Sequence, residues 1–396
     1  MNLHLEHFGQ VTEADIEFAD LTVFVGPQAT GKSIVLQLVK LLVDIGAVHK
    51  TMADYGREWG RDVPSFLQAY FGEGMGKLAG DQTRIRFDDK DWKPAQLAWR
   101  GHRDTTERMF FVPAQRVLAM VPGLLRPFSD YRAGDPFVLP DFSDKLRRTV
   151  EKELGGEGEV FPQKRRFKKP IRDRLMGDIF AGYSLRIEHQ LSQKRFVLKH
   201  GEREALPFTV WSAGQREFVP LLLGFYQLLP PAATGRRLDL EWAVVEEIEM
   251  GLHPRAISSV LLLVLDLLSR DYRVCLSTHS PHVLDLIWAL RVLRERGGQV
   301  EDVLDLFGLR VGPQTKPLAE AALAKTARVF YFTRQGDVRD ISRLDPAAED
   351  DSESGWGGLT EFSSQVGEIV SRVAARYEQA ATPAAPPVQP ELKVGA

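Results

Sequence analysis

VFVGPQATGKS, residues 23–33, is an apolar run ending in the pattern Gly-x-x-x-x-Gly-Lys-Ser at Gly26, Gly31, Lys32 and Ser33. The residues leading into it, LTVFVG, are continuously apolar, as in a parallel strand buried on both faces. From about Ser33 to Ile45 the apolar positions Val35, Leu38, Val39 and Leu42 recur with helical spacing. A strand, a glycine-containing turn and a helix form the setting in which backbone N–H groups curl around an anion and a helix directs its positive end at it. The cradle would be Gly26, Pro27, Gln28, Ala29, Thr30 and Gly31. Lys32 would reach the β- and γ-phosphates of a nucleotide, and the Ser33 hydroxyl would ligate Mg²⁺.

The whole chain has room for this. It has 396 residues, 44% hydrophobic and 27% charged, with a formal net charge of −3. That size buries a large core, and the near-neutral balance argues against a surface that wraps nucleic acid throughout. The single cysteine, Cys275, excludes an intramolecular disulfide and a cysteine-based zinc site. Lying in VCLSTHS, it reads as a buried, inert thiol. The N-terminus shows no charged leader followed by an apolar run. The longest apolar stretches are broken by Lys40 and Asp44 or by Asp266, so no membrane span is expected and the expected location is the cytoplasm.

Outward from the first motif, LHLEHF and ADIEFA alternate as strands, and MFFVPAQR is a further buried strand ending at Pro113. Residues 118–180 read as a helical, partly basic insertion. YSLRIEHQ and KRFVLKHG then form a hairpin. A strand–helix rhythm resumes with helix 212–229, strand 240–246, helix 254–269, strand 273–278 and helix 281–290. The expected fold is α/β, with a mainly parallel core sheet, an antiparallel β subdomain and the helical insertion. The divisions are an N-terminal lobe 1–117, the insertion 118–180, a second lobe part 181–345, an acidic linker with an amphipathic helix 346–379, and a Pro/Ala-rich disordered tail 380–396.

Three other segments bear chemistry. AVVEEIEMGLHP, residues 243–254, runs an apolar strand into Glu246, Glu247 and Glu249, carboxylates that are costly there without a nearby cation. SAGQ places Ser212, Ala213, Gly214 and Gln215 at a helix start, where a capping box and an anion site can coincide. CLSTHS ends a strand at His279, and FVPAQR sets Gln115 just past another strand end.

In chain order these segments resemble the ABC-type ATPase superfamily. Within it they are similar to the soluble branch with RecF, SMC proteins and the OLD family, often called AAA family ATPases. LEHFGQVTEADIEFADLTVFVGPQATGKS, FVPAQR, SAGQRE, EEIEMGLHP and STHSPHVL carry the resemblance over residues 1 to about 290. It implies an ATPase with ATP and Mg²⁺. The metal would be held by Ser33, by Gln115 and, through water, by Glu246. Glu247 would polarise the hydrolytic water, with His279 on the γ-phosphate. Ser212, Ala213, Gly214 and Gln215 would form a signature facing the ATP of a second subunit in a head-to-tail homodimer, or within a higher oligomer. Glu246 stands where Asp is usual, Ala213 where Gly is frequent, and Gln28-Ala29 where Asn-Gly is common, which allows slow turnover.

No Glu strand with Asp-x-Asp follows residue 290, so no built-in nuclease is expected. By analogy with stand-alone OLD-like ATPases, the expected role is a switch for an effector, a nuclease or toxin from a neighbouring gene, in antiphage defence or a toxin–antitoxin system. The alternative is a RecF/SMC-like DNA-binding ATPase in DNA repair or maintenance. For DNA or an acidic partner, the run 163–174 offers Lys164, Arg165, Arg166, Lys168 and Lys169. A solvated lid loop is the plainer reading of that run.

Overall fold

Leu21, Val23 and Val25 pack into one apolar core and Phe24 into another, so the strand Leu21–Val25 is buried on both faces. The same division recurs in Met109–Val112, where Phe110 and Val112 take the first core and Met109 and Phe111 the second. The computed structural model describes residues 1–60, 62–120, 123–154, 158–190, 193–230, 236–237 and 239–381. Its six-stranded central sheet runs in the order Val338–Asp340, Ala327–Phe332, Leu21–Val25, Arg273–Ser277, Trp242–Val245, Met109–Val112. All neighbours are parallel except the edge pair of Val338–Asp340 with Ala327–Phe332.

Helices cover both faces, as near-continuous apolar strands require. Lys32–Asp54 lies in the second core, while Ala213–Leu228, Pro254–Leu268 and Pro281–Glu295 lie in the first. Near the expected end at Ile45 the first helix kinks at Asp44 (φ −120°, ψ 27°), and a helical segment then continues to Asp54 with Val48 and Met52 buried. Cys275 is buried in the sheet, and burial pushes its thiol well above the ordinary range.

Two antiparallel sheets flank the core. One is ordered Val11–Glu17, Asn2–Phe8, Arg84–Phe87, Lys90–Trp92. The other contains the expected hairpin, Ser184–Gln190 with Gln193–Lys199, and is extended by Leu206–Pro207 and Gly158–Phe161. The last strand corrects the helical reading of 118–180: GEVF is too short for a periodicity to show, and its pairing partner lies outside the segment. Helices Val138–Thr149 and Lys169–Asp178 account for much of the remainder. The acidic stretch near 350 holds one helical turn, Asp351–Ser354, and the C-terminal helix spans Glu361–Ala381. Residues 382–396 of the expected tail lie outside the described residues. No helix among the described residues is long and apolar enough to cross a membrane.

Candidate functional site

Four adjacent parallel strands end on one side of the sheet, and each delivers a segment there. In open α/β sheets that edge is where ligands bind. The strand ending at Val25 supplies the loop 26–33. Gly26 has φ 134°, and a Cβ there would sit 2.3 Å from the Phe332 carbonyl oxygen, so no other residue fits. Gly31 caps the following helix at φ 98°. The backbone N–H groups of Gln28 to Ser33 donate to no acceptor among the described residues, while Thr30 Oγ1 donates to the Pro27 carbonyl at 2.9 Å. Lys32 folds back over the loop, donating to the carbonyls of Gly26 at 2.7 Å and Pro27 at 2.6 Å. Burial lowers its ammonium from 10.5 to about 8, against the pull of Glu247 and Glu249.

The strand ending at Val245 presents the glutamates. Glu246 is buried, and desolvation raises its carboxyl from 4.5 to about 7, opposed by the nearby Ser33 side chain and the Ala114 N–H. Its Oε2 accepts from Ala114 N at 3.0 Å, and Oε1 has no hydrogen-bond partner among the described residues. Glu247 adopts φ 45°, a region costing a non-glycine residue about 1–3 kcal/mol. Its carboxylate is 3.8 Å from His279 Nε2, and its N–H donates to Ser277 Oγ at 3.1 Å. Desolvation, reinforced by Lys32, holds the His279 imidazole below its ordinary value. A neutral ring can accept or donate one proton according to its partner.

Glu249 has a contact the sequence did not disclose. It accepts hydrogen bonds from Thr278 Oγ1 at 2.9 Å and from the His279 N–H, so it grips the loop that carries His279. Burial raises its carboxyl, against those hydrogen bonds. Arg116 is the other residue missed. It is fully buried and donates to the carbonyls of Glu246 at 2.9 Å, Glu247 at 3.0 Å and Glu217 at 3.1 Å. The sequence signal for it is its place just after the strand end in FVPAQR, next to Gln115.

Among the described residues the remaining candidates make no hydrogen bond to Lys32, Glu246, Glu247 or His279. Gln115 is exposed beside Arg116 and makes no hydrogen bond with the described residues through its side chain. Ser212 and Gln215 cap the helix Ala213–Leu228 reciprocally, at 3.2 and 3.1 Å. Ser212 and Ala213 are exposed, and a Cβ on Gly214 would meet the Gly251 carbonyl at 2.8 Å, which seats this helix start on the loop after the glutamates. In the basic run, Lys164, Arg165 and Lys169 are exposed. Arg166 is buried, pairing with Glu153 at 2.7 Å and donating to the Tyr226 carbonyl at 3.2 Å. Lys168 pairs with the buried Asp266 at 2.7 Å. Two of the five charges therefore serve internal packing.

Residues 133–285 match the family described as "AAA domain, putative AbiEii toxin, Type IV TA system". The matched stretch contains Ser212–Gln215, Glu246, Glu247 and His279, and starts beyond the loop 26–33. No curated protein sequence matches the chain. Among solved structures the chain is similar to an SMC head bound to the C-winged helix domain of ScpA. That likeness has 13% identity and a TM-score of 0.39, covering 86% of this chain and 95% of that one. It is also similar to the SMC head domain from Thermotoga maritima, with 13% identity and a TM-score of 0.30, covering 72% and 90%. CbiO1 from Clostridium perfringens, part of the ABC transporter complex cbiONQ, gives 12% identity and a TM-score of 0.32, covering 96% of each chain.

Proposed function

We propose that the chain is an ATP-binding and ATP-hydrolysing P-loop ATPase of the ABC/SMC type. One observation supports this above the others: Lys32, the buried Glu246 with its unpartnered Oε1, and Glu247 beside His279 meet at the carboxyl ends of parallel strands. The free N–H groups of Gln28 to Ser33 suit phosphate oxygens, for which Lys32 would exchange the Gly26 and Pro27 carbonyls. Ser33 and Glu246 fit Mg²⁺, the latter through water, and that ion neutralises phosphate charge when bound. Glu247 holds the attacking water and accepts its proton, while His279 faces the γ-phosphate. Gln115, on the rim, would join the metal and water shell.

Among the described residues Ser212–Gln215 make no hydrogen bond to the loop 26–33, and the exposed helix start suits the nucleotide of a second copy. The complete site would thus form in a head-to-tail homodimer. Because the family matched over 133–285 is described by a type IV toxin–antitoxin system, we take the ATPase to be a switch for an associated effector, a nuclease or toxin on another chain, in such a system or in antiphage defence. The test is phosphate release from ATP with Mg²⁺. Lys32→Ala should reduce it by at least about a hundredfold, the scale of losing a charge aimed at the transferred group. Equal release by both proteins would refute the reading.

A second reading, DNA binding, has its own observation. A cleft of about 520 Å³ is lined by Lys164, Arg165, Arg166, Lys168 and Arg270, without a carboxylate. Because Arg166 and Lys168 are held internally, the informative variant reverses Lys164, Arg165 and Lys169 alone. If DNA is the partner, this triple reversal should abolish binding in a mobility-shift assay while ATP binding stays unchanged. Unaltered retardation of DNA would exclude the cleft.

A further inference from the structure

Arg116 joins three segments that the proposed reaction needs in register. Its guanidinium donates to the carbonyls of Glu246 and Glu247 through its two terminal nitrogens, and to the carbonyl of Glu217 through Nε. Glu217 lies in the first turn and a half of the helix Ala213–Leu228, so one side chain ties that helix to both site glutamates. The arrangement uses what is particular to arginine: a rigid planar fork with several donors, which a lysine cannot reproduce.

A buried cation that donates to main-chain oxygens is costly to desolvate unless charge lies close by. Burial holds the Arg116 guanidinium below its ordinary range, and Glu217, Glu249, Glu247 and Glu246 oppose the shift. Of these, Glu217 Oε2 lies 4.0 Å from Nε and has no hydrogen-bond partner among the described residues. The Arg116–Glu217 pair is therefore loose as an ion pair, while its three carbonyl contacts are within hydrogen-bonding distance. Such a pattern sets backbone position more than it adds ion-pair stability.

The backbone that it positions is strained. Glu247 sits at φ 45°, held through its N–H by Ser277 Oγ and through its carbonyl by Arg116. Gly214 brings the start of the same helix against the Gly251 carbonyl, a second contact between it and the glutamate loop. Any displacement of the helix bearing Ser212 and Ala213 would reach the Glu247 carbonyl through one residue.

We propose that Arg116 is a positioning residue, whose fork on the carbonyls of Glu246, Glu247 and Glu217 makes the orientation of Glu247 depend on the seat of the helix Ala213–Leu228. This rests on the ATPase reading above.

The experiment compares wild type, Arg116→Lys, Ser277→Ala, Glu247→Gln and the double variant Arg116→Lys/Glu247→Gln, each checked for folding by circular dichroism. Arg116→Lys should lower kcat for ATP by about tenfold or more, the loss of one charge-assisted hydrogen bond, with KM changed less than about twofold. Ser277→Ala, which frees the other side of Glu247, should lower kcat in the same way and serves if Arg116→Lys does not fold. In the Glu247→Gln background, Arg116→Lys should add no further loss, because its effect passes through that carboxylate. Additive losses, or an Arg116→Lys turnover equal to wild type, would overturn the role of Arg116 while leaving the ATPase reading intact. A wild type no faster than Glu247→Gln would overturn the ATPase reading itself.

Discussion

Glu247→Gln should lower ATP turnover by roughly a hundred- to ten-thousand-fold, the range for removing a positioned general base, while nucleotide binding is retained. The separation of the two effects follows from position. Glu247 lies beyond the buried strand end, partly exposed, 3.8 Å from His279 and outside the loop 26–33 that would hold phosphates. Glutamine keeps its shape and its backbone contacts with Arg116 and Ser277 but cannot take up a proton. A protein that binds ATP without consuming it should also accumulate as the nucleotide-bridged dimer, visible as a doubled mass by light scattering. Steady-state phosphate release and fluorescent-ATP titration on both proteins check the pair of outcomes. A parallel loss of binding and turnover would place Glu247 in the binding site instead.

Glu246→Gln should make the nucleotide-free protein more stable at about pH 8 and leave it nearly unchanged at about pH 4. The sign follows from the raised carboxyl. Desolvation takes Glu246 from 4.5 to about 7 in the fold, so between those values the folded chain keeps a proton that the unfolded chain has released. Stability from this group is present below 4.5 and is lost as pH rises through about 7. The size of the shift corresponds to roughly 3 kcal/mol for the whole window. Glutamine stays neutral, and its carbonyl can still accept from the Ala114 N–H, so the variant loses the pH slope without losing that contact. Urea denaturation midpoints across this range measure it. Parallel profiles for the two proteins would mean that Glu246 titrates normally and that the strand end is better solvated than its burial indicates.

These two glutamates also show what a sequence discloses. Strand, turn and helix around GPQATGKS were legible because local periodicity and fixed spacing encode them, and the central sheet follows from the repeated buried strands. The strand ends that carry Glu246, Glu247 and His279 were legible for the same reason. What stayed hidden depends on distant partners. Arg166 and Lys168 looked like part of one solvated basic run because Glu153 and Asp266, which neutralise them, come from elsewhere in the chain. Glu249 had no visible task until the loop carrying Thr278 and His279 was folded against it. Arg116 was equally silent, since a fork shared among three carbonyls leaves no side-chain pattern. The strand Gly158–Phe161 was masked by brevity within a charged segment.

Equilibrium binding of labelled ATP with Mg²⁺ to the wild type and to Lys32→Ala tests the central claim most directly. Saturable, stoichiometric binding by the wild type, lost in the variant because it lacks the ammonium that would leave the Gly26 and Pro27 carbonyls for phosphate, is the predicted result. Equal affinity in the two proteins, or no binding by the wild type, would contradict it.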